Sequence, residues 1–402
     1  MKKILAILTA LLLLSCSTNH DEVVVSMKQN ATTKITKEQA LKNLYGELNI
    51  IDGETRADGT TRKVKSIEPL VGAKTRSGNA LDNDLLYIVE FEEGQGSAVL
   101  AADTRLDPVI AVLDTDVLTS EDFASDDMDD ISAYMASMIG EYAQTTSSEP
   151  PFTWIPAPDD EYDTTYYYNI ATILKTKWDQ DAPFNDKVVE VYGEGVPAGC
   201  WPIALAQFIY HMSYNSIVSF DNHIYNMSTL RSLEFGRMHN AIAEQTVASF
   251  VYSIGQAINA SYNTAGTSSN IWYATLFMNE MGYTSASYAT YNSSAVFTKL
   301  GQNKVMLIRA DDGIKGHAWV IDGGYHYAVT GVRYNQDGGS DFATIEYKKV
   351  HCNYGWNGKC DGYYTEGLFD VGVRNSDVDL SAGDYAGTNG NNLRQDIMII
   401  TY

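Results

Sequence analysis

A proline-rich stretch near the middle of the chain sets how many units the chain can fold into. Residues 145–160, TTSSEPPFTWIPAPDD, contain four of the nine prolines among the 402 residues. Prolines clustered with serines and acidic residues are typical of loops. We therefore predict two domains, residues 35–145 and 169–402, joined by an exposed linker at 146–168.

The spacing of apolar residues predicts an α+β fold on both sides of this linker. Upstream, a short amphipathic helix that opens at Thr36 precedes three strands and a helix that ends near residue 144. Downstream, helix patterns come first and strand patterns follow from about residue 303, which indicates two lobes with a site between them. We expect a loop or hairpin edge at 53–80 and a short helix or turn at 170–178.

The first sixteen residues, MKKILAILTALLLLSC, predict export. Two lysines precede an apolar run from Ile4 to Leu14, which is too short to span a bilayer and is typical of a signal peptide. Its end, LLSC, resembles a bacterial lipobox, in which Cys16 is acylated and becomes the new N-terminus. We expect this lipid to anchor the protein to the cell envelope, at the outer membrane or the cell surface, through a polar tether at 17–34. Release after processing and an ordinary secretory signal with an incidental cysteine are the alternatives.

Charge and residue spacing exclude two classes of partner. The formal net charge of −23 argues against nucleic acid, because no basic surface is available to neutralise phosphates. The cysteines and histidines lack the close spacing of metal ligands, so we expect no metal and no cofactor.

The number of cysteines suggests a free thiol. With Cys16 acylated, Cys200, Cys352 and Cys360 remain, and an odd number in an exported protein leaves one unpaired. Cys352 and Cys360 are close enough in sequence for a disulfide, although spacing alone does not establish one. In either case Cys200 is the unpaired cysteine.

Cys200 occupies a position that can activate a thiol. It follows a Pro-Ala-Gly turn and begins an apolar run that predicts a buried helix, with Pro202 in its first turn. The positive end of the helix dipole favours the thiolate, which is the nucleophilic form. The alternative is a small buried side chain that packs a turn, a common situation for a free cysteine.

One of the seven histidines is the best candidate for a base. His317, in GHAWVIDGG, stands where a loop enters an apolar strand, which suits a side chain that faces a cleft. His351, in VHCNYGW, is the next candidate, and His223 is a weaker one. His211 is eleven residues along the helix from Cys200, about 16 Å at a rise of about 1.5 Å per residue, which is too far for proton transfer.

Other polar and aromatic residues supply the remaining parts of such a site. Gln180, in KTKWDQDAPFN, offers a side-chain amide that can donate to an oxyanion. Asn353 and Trp356, in HCNYGWNG, are suited to orient and shield an imidazole. Each of these signals is weak alone, because Asn and Gln are ordinary loop residues.

Four motifs in this order resemble those of the streptopain family, papain-like bacterial cysteine peptidases that are made as zymogens. The motifs are KTKWDQDAPFN, AGCWPIALAQFIYHMSY, GHAWVIDGG and HCNYGWNGKCDGYY. Upstream, LLYIVEFEEGQGSAVLAADTRLDPVIAV resembles the family's propeptide domain, so the resemblance runs from about residue 35 to the end. It implies a papain-like, two-lobed α+β catalytic domain preceded by a small α+β propeptide domain.

The resemblance also implies a role for each candidate residue. The family's nucleophile falls on Cys200, its general base on His317 and its oxyanion glutamine on Gln180, while Asn353 and Trp356 fall in the family's Asn-Trp-Gly-Trp run. This chain departs from the family pattern at three positions. Tyr354 replaces the usual tryptophan, and Trp201 and Pro202 replace smaller residues after the cysteine, so that Trp201 is expected to narrow the cleft.

The resemblance implies an exported cysteine endopeptidase that is made as a zymogen and acts on proteins or peptides. Its own N-terminal domain would be its inhibitory partner, with activation cleavage inside the linker and upstream of Gln180. Two alternatives remain: a catalytically inactive surface-binding or inhibitory lipoprotein on the same fold, and transglutaminase-like acyl transfer. The presence of both Cys200 and His317 favours an active enzyme, because an inactive copy would be free to lose either.

Overall fold

The computed structural model describes residues 33–55, 62–74, 80–147, 153–156, 164–236, 240–311, 316–334, 340–369 and 396–402. Helices and strands occur in both halves of these ranges, and the predicted α+β class is confirmed. The signal sequence, Cys16 and all but the last two residues of the expected tether lie outside the described residues. Within the described ranges, no helix is both long enough and apolar enough to cross a membrane.

The N-terminal domain consists of a helix, a four-stranded antiparallel sheet and two further helices. The predicted first helix begins one residue after Thr36, whose hydroxyl accepts the N–H of Gln39 while the Gln39 side chain accepts the N–H of Thr36, a reciprocal cap. Residues 53–80 were expected to form a loop or a hairpin edge. Residues 64–69 form a strand that pairs antiparallel with the next strand at one end of the sheet, which matches the hairpin-edge alternative, whereas residues 53–55 complete the first helix. The elements are α1 (Lys37–Thr55), β1 (Val64–Pro69), β2 (Leu86–Phe91), β3 (Ser97–Ala101), β4 (Val109–Leu113), α2 (Ser120–Ala124) and α3 (Ile131–Ser147).

The expected linker contains two strands, β5 (Thr153–Pro156) and β6 (Thr164–Ile170). Both pair antiparallel with residues 324–334 of a later strand, so the expectation of an irregular linker is wrong for these residues. Residues 165–169 are nevertheless exposed, as the linker prediction requires. The other linker residues from 148 to 163 lie outside the described residues.

One lobe of the C-terminal domain is helical. The expected helix or turn at 170–178 is wrong, because β6 ends at Ile170 and the chain then runs without regular structure. The long helices of this lobe precede the strands, as the sequence predicts, whereas the short helix and two small hairpins were not predicted. The elements are α4 (Asp186–Tyr192), α5 (Cys200–Met212), β7 (Ile217–Phe220), β8 (His223–Asn226), α6 (Ala241–Ala257), β9 (Ser261–Asn263), β10 (Gly266–Ser268) and α7 (Ile271–Glu280).

The other lobe is a sheet that continues into the N-terminal domain. Its elements are β11 (Ser287–Thr290), α8 (Ser293–Leu300), β12 (Met306–Asp311), β13 (Gly316–Tyr334), β14 (Ser340–Asn353), β15 (Gly362–Thr365) and β16 (Asp396–Thr401). The strand order is β1-β2-β3-β4-β15-β14-β13-β12-β16-β11, with β5 and β6 also paired to β13. The two domains meet at the antiparallel pair β4–β15, where Leu113 lies opposite Gly362. A Cβ atom at Gly362 would lie 2.4 Å from the carbonyl oxygen of Val112, so this close approach requires glycine.

Two hydrophobic cores follow from this arrangement. The helical lobe has its own core, to which α5, α6 and α7 contribute Phe208, Phe250 and Phe277. The second core runs without a break from the N-terminal domain into the sheet lobe, and it includes Leu44, Leu100, Met135, Trp319 and Tyr364. The N-terminal domain is therefore packed against the sheet lobe and not merely tethered to it.

Candidate active site

Cys200 is the first residue of α5, as the sequence predicts. The residue before it, Gly199, has a positive φ of 95°, and a Cβ atom there would lie 2.6 Å from the Cγ2 atom of Thr267. The Thr267 hydroxyl in turn donates to the carbonyl oxygen of Pro197 at 2.7 Å. Glycine thus lets the chain turn tightly beneath β10 and start the helix at the thiol.

Four of the five predicted site residues line one cavity of about 290 Å³. Cys200, His317, Gln180 and Trp356 all contribute to its wall. These residues come from α5, from the start of β13 and from two loops, so the cavity lies between the helical lobe and the sheet lobe. A cavity thus lies between the two lobes and is lined by four of the predicted site residues, whose catalytic roles stay predictions.

His317 is held by a backbone group. Its Nε2 atom lies 2.9 Å from the carbonyl oxygen of Tyr354. Because a carbonyl can only accept, Nε2 is the nitrogen that carries the proton, and Nδ1 of the neutral ring is left as an acceptor. Aromatic rings surround the imidazole, and its centroid is 6.0, 6.1 and 6.4 Å from those of Trp319, Tyr354 and Trp356.

Asn353 does not hold the imidazole, which corrects the role predicted for it. Its side-chain amide donates to the carbonyl oxygen of Thr176 at 2.6 Å, and its side-chain oxygen accepts from Nε2 of Gln207 at 2.9 Å. The same oxygen accepts the N–H of Gly355 at 3.2 Å. Asn353 thus ties the loop that follows β14 to the helix that carries Cys200.

Gln180 is 8% exposed and sits in a loop that is fixed against the segment before Cys200. Its carbonyl oxygen accepts the N–H of Ala198 at 2.8 Å, and its own N–H donates to Oδ1 of Asp179 at 2.7 Å. These backbone contacts place the Gln180 side chain in the wall of the cavity that Cys200 also lines.

Burial sets the charge state of the Cys200 and His317 side chains. It raises the pKa of the Cys200 thiol, against the opposite effect of the nearby backbone N–H groups of Ala318 and Trp201. It lowers the pKa of His317 to about 4, and the bond to Tyr354 offsets only part of that shift. Both groups are therefore uncharged at pH 7 in this structure, and the preference of the helix terminus for a thiolate is outweighed by burial.

The N-terminal domain forms part of the cavity wall. Met128, Asp129, Ile131 and Tyr134, from the start of α3 and the loop before it, line the cavity together with Cys200 and His317. The Tyr134 hydroxyl donates to the carbonyl oxygen of Ala310 at 3.0 Å and fixes this segment to the sheet lobe. The segment contributes to the burial that keeps the thiol and the imidazole uncharged.

The other candidate histidines do not reach this cavity. His351 is 2% exposed, and its Nδ1 and Nε2 atoms lie 2.6 Å from Asp322 and 3.4 Å from Asp114. The two carboxylates raise the pKa of His351 well above its usual value despite burial, so its ring is a structural cation. His211 lines a separate cavity near the end of α5, and His223 is exposed.

Three other residues that the sequence analysis considered are buried in the protein interior. Cys352 and Cys360 are both buried free thiols, so the disulfide alternative is not realised. Trp201 is 4% exposed and packs in the core of the helical lobe. The expectation that it narrows the cleft is therefore wrong, since its side chain packs in that core and is not part of the cavity lining.

Sequence reasoning missed the Tyr354 carbonyl, Gln207 and Asp361. Asp361 is 1% exposed, and its Oδ1 accepts the N–H of Tyr354 at 2.8 Å. A backbone carbonyl leaves no signature in a sequence. The polar Gln207 inside an otherwise apolar helix was a usable signal, because a buried amide needs partners.

Comparison with known proteins agrees with the motif resemblance. Residues 178–364 match the sequence model of the Peptidase C10 family. Among solved structures, the chain is similar to a prointerpain A fragment from Prevotella intermedia, with 19% identity, 79% of this chain and 95% of that chain covered, and a TM-score of 0.54. The active wild-type interpain A cysteine protease from the same organism is 20% identical, with 61% and 98% covered and a TM-score of 0.39.

A search of curated proteins found no match. At 19% identity, the likeness to the prointerpain A fragment shows a shared fold, and the share of this chain that it covers exceeds the C-terminal domain. The family match confirms the resemblance that the motifs carry. Over residues 178–364, this chain matches the Peptidase C10 family, the streptopain family of cysteine peptidases.

Proposed function

We propose that this protein is an exported cysteine endopeptidase that is made as a zymogen and hydrolyses peptide bonds with Cys200 and His317. One observation carries the proposal: Cys200, His317 and Gln180 line a cavity that residues of the N-terminal domain also line. The proposed nucleophile, base and oxyanion donor thus line one cavity, and part of the N-terminal domain lines it too.

The proposed reaction begins with proton transfer. Nδ1 of His317 takes the proton of the Cys200 thiol, and the sulfur then attacks the carbonyl carbon of the peptide bond. The imidazolium gives its proton to the leaving amine as the C–N bond breaks, which leaves a thioester on Cys200. The neutral imidazole next removes a proton from water, and the hydroxide attacks the thioester. As the C–S bond breaks, the imidazolium returns that proton to the sulfur, which restores the Cys200 thiol and releases the carboxylic acid.

The bond to Tyr354 supports this role for His317. Because Nε2 donates to a carbonyl, the neutral tautomer presents Nδ1 as the acceptor that the first step needs. The same carbonyl also stabilises the imidazolium, which donates to it through Nε2. A fixed tautomer and a partner for the charged form are both requirements of a general base.

Two donors are available for the oxyanion. The backbone N–H of Cys200 lies at the start of α5, where it has no partner within the helix. The side-chain amide of Gln180, which lines the same cavity, is the second donor. Loss of one such donor typically lowers kcat by about 10²–10³-fold.

The N-terminal domain is proposed to keep the enzyme inactive. Met128, Ile131 and Tyr134 form part of the cavity wall and would restrict the entry of a polypeptide substrate, and the uncharged thiol is a weak nucleophile. Cleavage at 146–168, upstream of Gln180, followed by departure of the domain would open the cavity to water. Hydration lowers the cost of charge, so the thiolate–imidazolium pair becomes accessible.

Export and lipid anchoring through Cys16 are part of the same proposal. They are supported by the short apolar run and the LLSC sequence at the N-terminus. The test is cell fractionation of a Cys16→Ser variant, which should leave the membrane fraction because the acylated thiol is gone. If that variant stays membrane-bound after a salt wash, Cys16 is not the anchor.

Active-site labelling tests the central proposal. The processed protein is treated with an E-64-type epoxide, and the modified residue is mapped by mass spectrometry. Labelling at Cys200, with matching loss of casein hydrolysis, is expected. Cys352 is the internal control, because a buried thiol should remain unmodified. Full casein hydrolysis by a protein that is completely labelled at Cys200 contradicts the proposal.

A further inference from the structure

The backbone N–H and the backbone carbonyl oxygen of Tyr354 are both hydrogen-bonded to side chains. Its carbonyl oxygen accepts from Nε2 of His317 at 2.9 Å, and its N–H donates to Oδ1 of Asp361 at 2.8 Å. Asp361 is 1% exposed, so this carboxylate is fully inside the protein. The buried Asp361 carboxylate is thus linked to the proposed base, His317, by two hydrogen bonds through the backbone of Tyr354.

The position of Tyr354 in the chain explains why its N–H needs a side-chain partner. Strand β14 ends at Asn353, the last residue that pairs with β13, and Tyr354 is the first residue of the loop that leads to β15. A buried N–H beyond the end of a strand pair destabilises the fold if it has no acceptor. Asp361 supplies that acceptor from the other end of the same loop, immediately before β15.

Asp361 is itself fixed by the backbone of the loop. Its N–H donates to the carbonyl oxygen of Gly358 at 3.2 Å, and its carbonyl oxygen accepts the N–H of Asp114 from the N-terminal domain at 2.9 Å. The bond from Tyr354 to the Asp361 carboxylate lies wholly within the C-terminal domain. It therefore remains available after the N-terminal domain departs, when the contact to Asp114 is lost.

We propose that Asp361 is a positioning residue for His317, acting through the Tyr354 backbone: it fixes the Tyr354 carbonyl where that carbonyl orients the imidazole and stabilises the imidazolium. The inference rests on the proposed function, because it presumes that His317 is the base. Asp361 does not touch substrate, and its effect on the reaction is transmitted through one backbone segment.

The charges around Asp361 set which of its variants are informative. His351, Lys177 and the Asp114 carboxylate influence its charge, and burial raises its pKa to about 7. A neutral carboxyl group still has a carbonyl oxygen that can accept the Tyr354 N–H, so the contact does not require the negative charge. Asp361→Asn keeps such an oxygen at nearly the same place, whereas Asp361→Ala removes the acceptor.

The experiment compares processed enzymes that carry Asp361→Ala, Asp361→Asn and a control, Glu234→Ala. Glu234 is also a buried carboxylate, 8% exposed, but it lies in the helical lobe, where it accepts a hydrogen bond from the Tyr210 hydroxyl at 2.6 Å. For each variant, kcat, KM and the pH profile of kcat/KM are measured on a peptide substrate, and the melting temperature reports on the fold.

Asp361→Ala should lower kcat about tenfold or more and leave KM within about twofold, because the base is misplaced and the substrate contacts are not. The alkaline limb of the pH profile, which reports loss of the imidazolium, should move to lower pH, since the bond to Tyr354 raises the pKa of His317. Asp361→Asn should retain activity within about threefold. Glu234→Ala should lower the melting temperature without moving the pH profile.

Two results overturn the inference. One is an unchanged pH profile and kcat in Asp361→Ala. The other is an equal loss in Asp361→Ala and Asp361→Asn. A His317→Ala variant distinguishes failure of this inference from failure of the proposed function. If His317→Ala hydrolyses peptides at the wild-type rate, the proposed base is wrong. If His317→Ala is inactive and Asp361→Ala is unaffected, only the role of Asp361 is wrong.

A measurement on the unmutated protein covers the case in which Asp361→Ala does not fold. Amide hydrogen exchange of the Tyr354 N–H is followed in the processed enzyme. Protection comparable to that of the β14 amides is expected if Asp361 holds it. Exchange at the rate of an unprotected loop amide contradicts the inference.

Discussion

The ring of Tyr134 stands edge-on to the imidazole of His317, with the two centroids 6.0 Å apart and the planes inclined by 65°. Tyr134 belongs to the N-terminal domain and is 2% exposed, whereas His317 is the second residue of β13 in the C-terminal domain. A side chain of the proposed inhibitory domain thus packs directly on the proposed base. This aromatic pair therefore links the proposed inhibitory domain directly to the proposed general base.

Replacement of Tyr134 should loosen the cover of the active-site cavity before any cleavage occurs. In the uncut protein, Tyr134→Ala removes both the ring against His317 and the hydroxyl bond to Ala310. We expect Cys200 to react with iodoacetamide about five- to tenfold faster than in the unmutated chain, because water and reagent reach the thiol. The matched control is Tyr45→Ala on α1, where the ring is 41% exposed. Equal labelling rates in the two variants would show that Tyr134 does not shield the site.

The nucleophile can be tested without disturbing the fold. Cys200→Ala should lower casein hydrolysis by about a thousandfold or more and leave the melting temperature within a few degrees, since only a partly buried sulfur is removed. Cys352→Ala, the buried control, should instead lower stability by about 1 kcal/mol and keep activity. A Cys200→Ala protein that still cleaves casein at the wild-type rate contradicts the assignment.

Glu47 should make the stability of the uncut protein depend on pH. This carboxyl group is 2% exposed; it accepts from the Tyr325 hydroxyl at 2.5 Å and lies 3.6 Å from Nζ of Lys349. Burial raises its pKa to about 7, with Lys349 opposing the shift and Asp107 adding to it. Because the folded-state pKa is raised, the contribution of Glu47 to stability is fully present below its usual pKa of 4.5 and is lost as pH rises through about 7.

Urea unfolding of the uncut Cys200→Ala protein at pH 5 and pH 8 measures this effect. The contribution of Glu47 to the free energy of unfolding should be on the order of 2–3 kcal/mol smaller at pH 8 than at pH 5. Glu47→Gln cannot titrate, so its unfolding free energy should vary less across the same range. The same pH dependence in both proteins would assign the titration to other groups.

The sequence predicted what is local and missed what depends on the path of the backbone. Cys200 was placed at a helix start because the Gly-Cys-Trp-Pro order and the apolar run are local signals. Asn353 was assigned to the imidazole because its residue type suits that role, yet the loop directs its amide to Thr176 and Gln207. The Tyr354 carbonyl was invisible to sequence reasoning, because every residue has one.

The sequence also did not predict that the two domains share one β-sheet. All five residues of β4 are buried, and an unbroken apolar run indicates a buried strand without naming its neighbours. Whether β15 is an edge strand or pairs with β4 depends on contacts between distant residues such as Leu113 and Gly362. The proline-rich segment suggested two separate units because composition alone does not show that β5 and β6 return to β13.

The interface between the domains predicts that cutting the linker does not by itself separate them. The fragments remain joined by the β4–β15 pair and by a shared hydrophobic core. Burial of each large apolar side chain there stabilises the complex by about 1.5–3 kcal/mol. Lys349, 1% exposed on β14, adds a buried charge contact at 2.9 Å to Asp107 of the N-terminal domain.

A recognition sequence for a site-specific protease, placed at 157–163 in the Cys200→Ala chain, permits the test. After complete cutting, the fragments should elute together in gel filtration at micromolar concentration. Lys349→Ala should weaken that complex, because Glu47 and Asp107 are left buried without their cation, and truncating one partner of a buried pair typically costs about 3–5 kcal/mol. Lys348→Ala is the matched control, since the neighbouring lysine pairs at 2.9 Å with Glu346 in its own lobe. If the unmutated fragments separate as soon as the linker is cut, the interface is too weak to inhibit, and the N-terminal domain acts only while it is covalently attached.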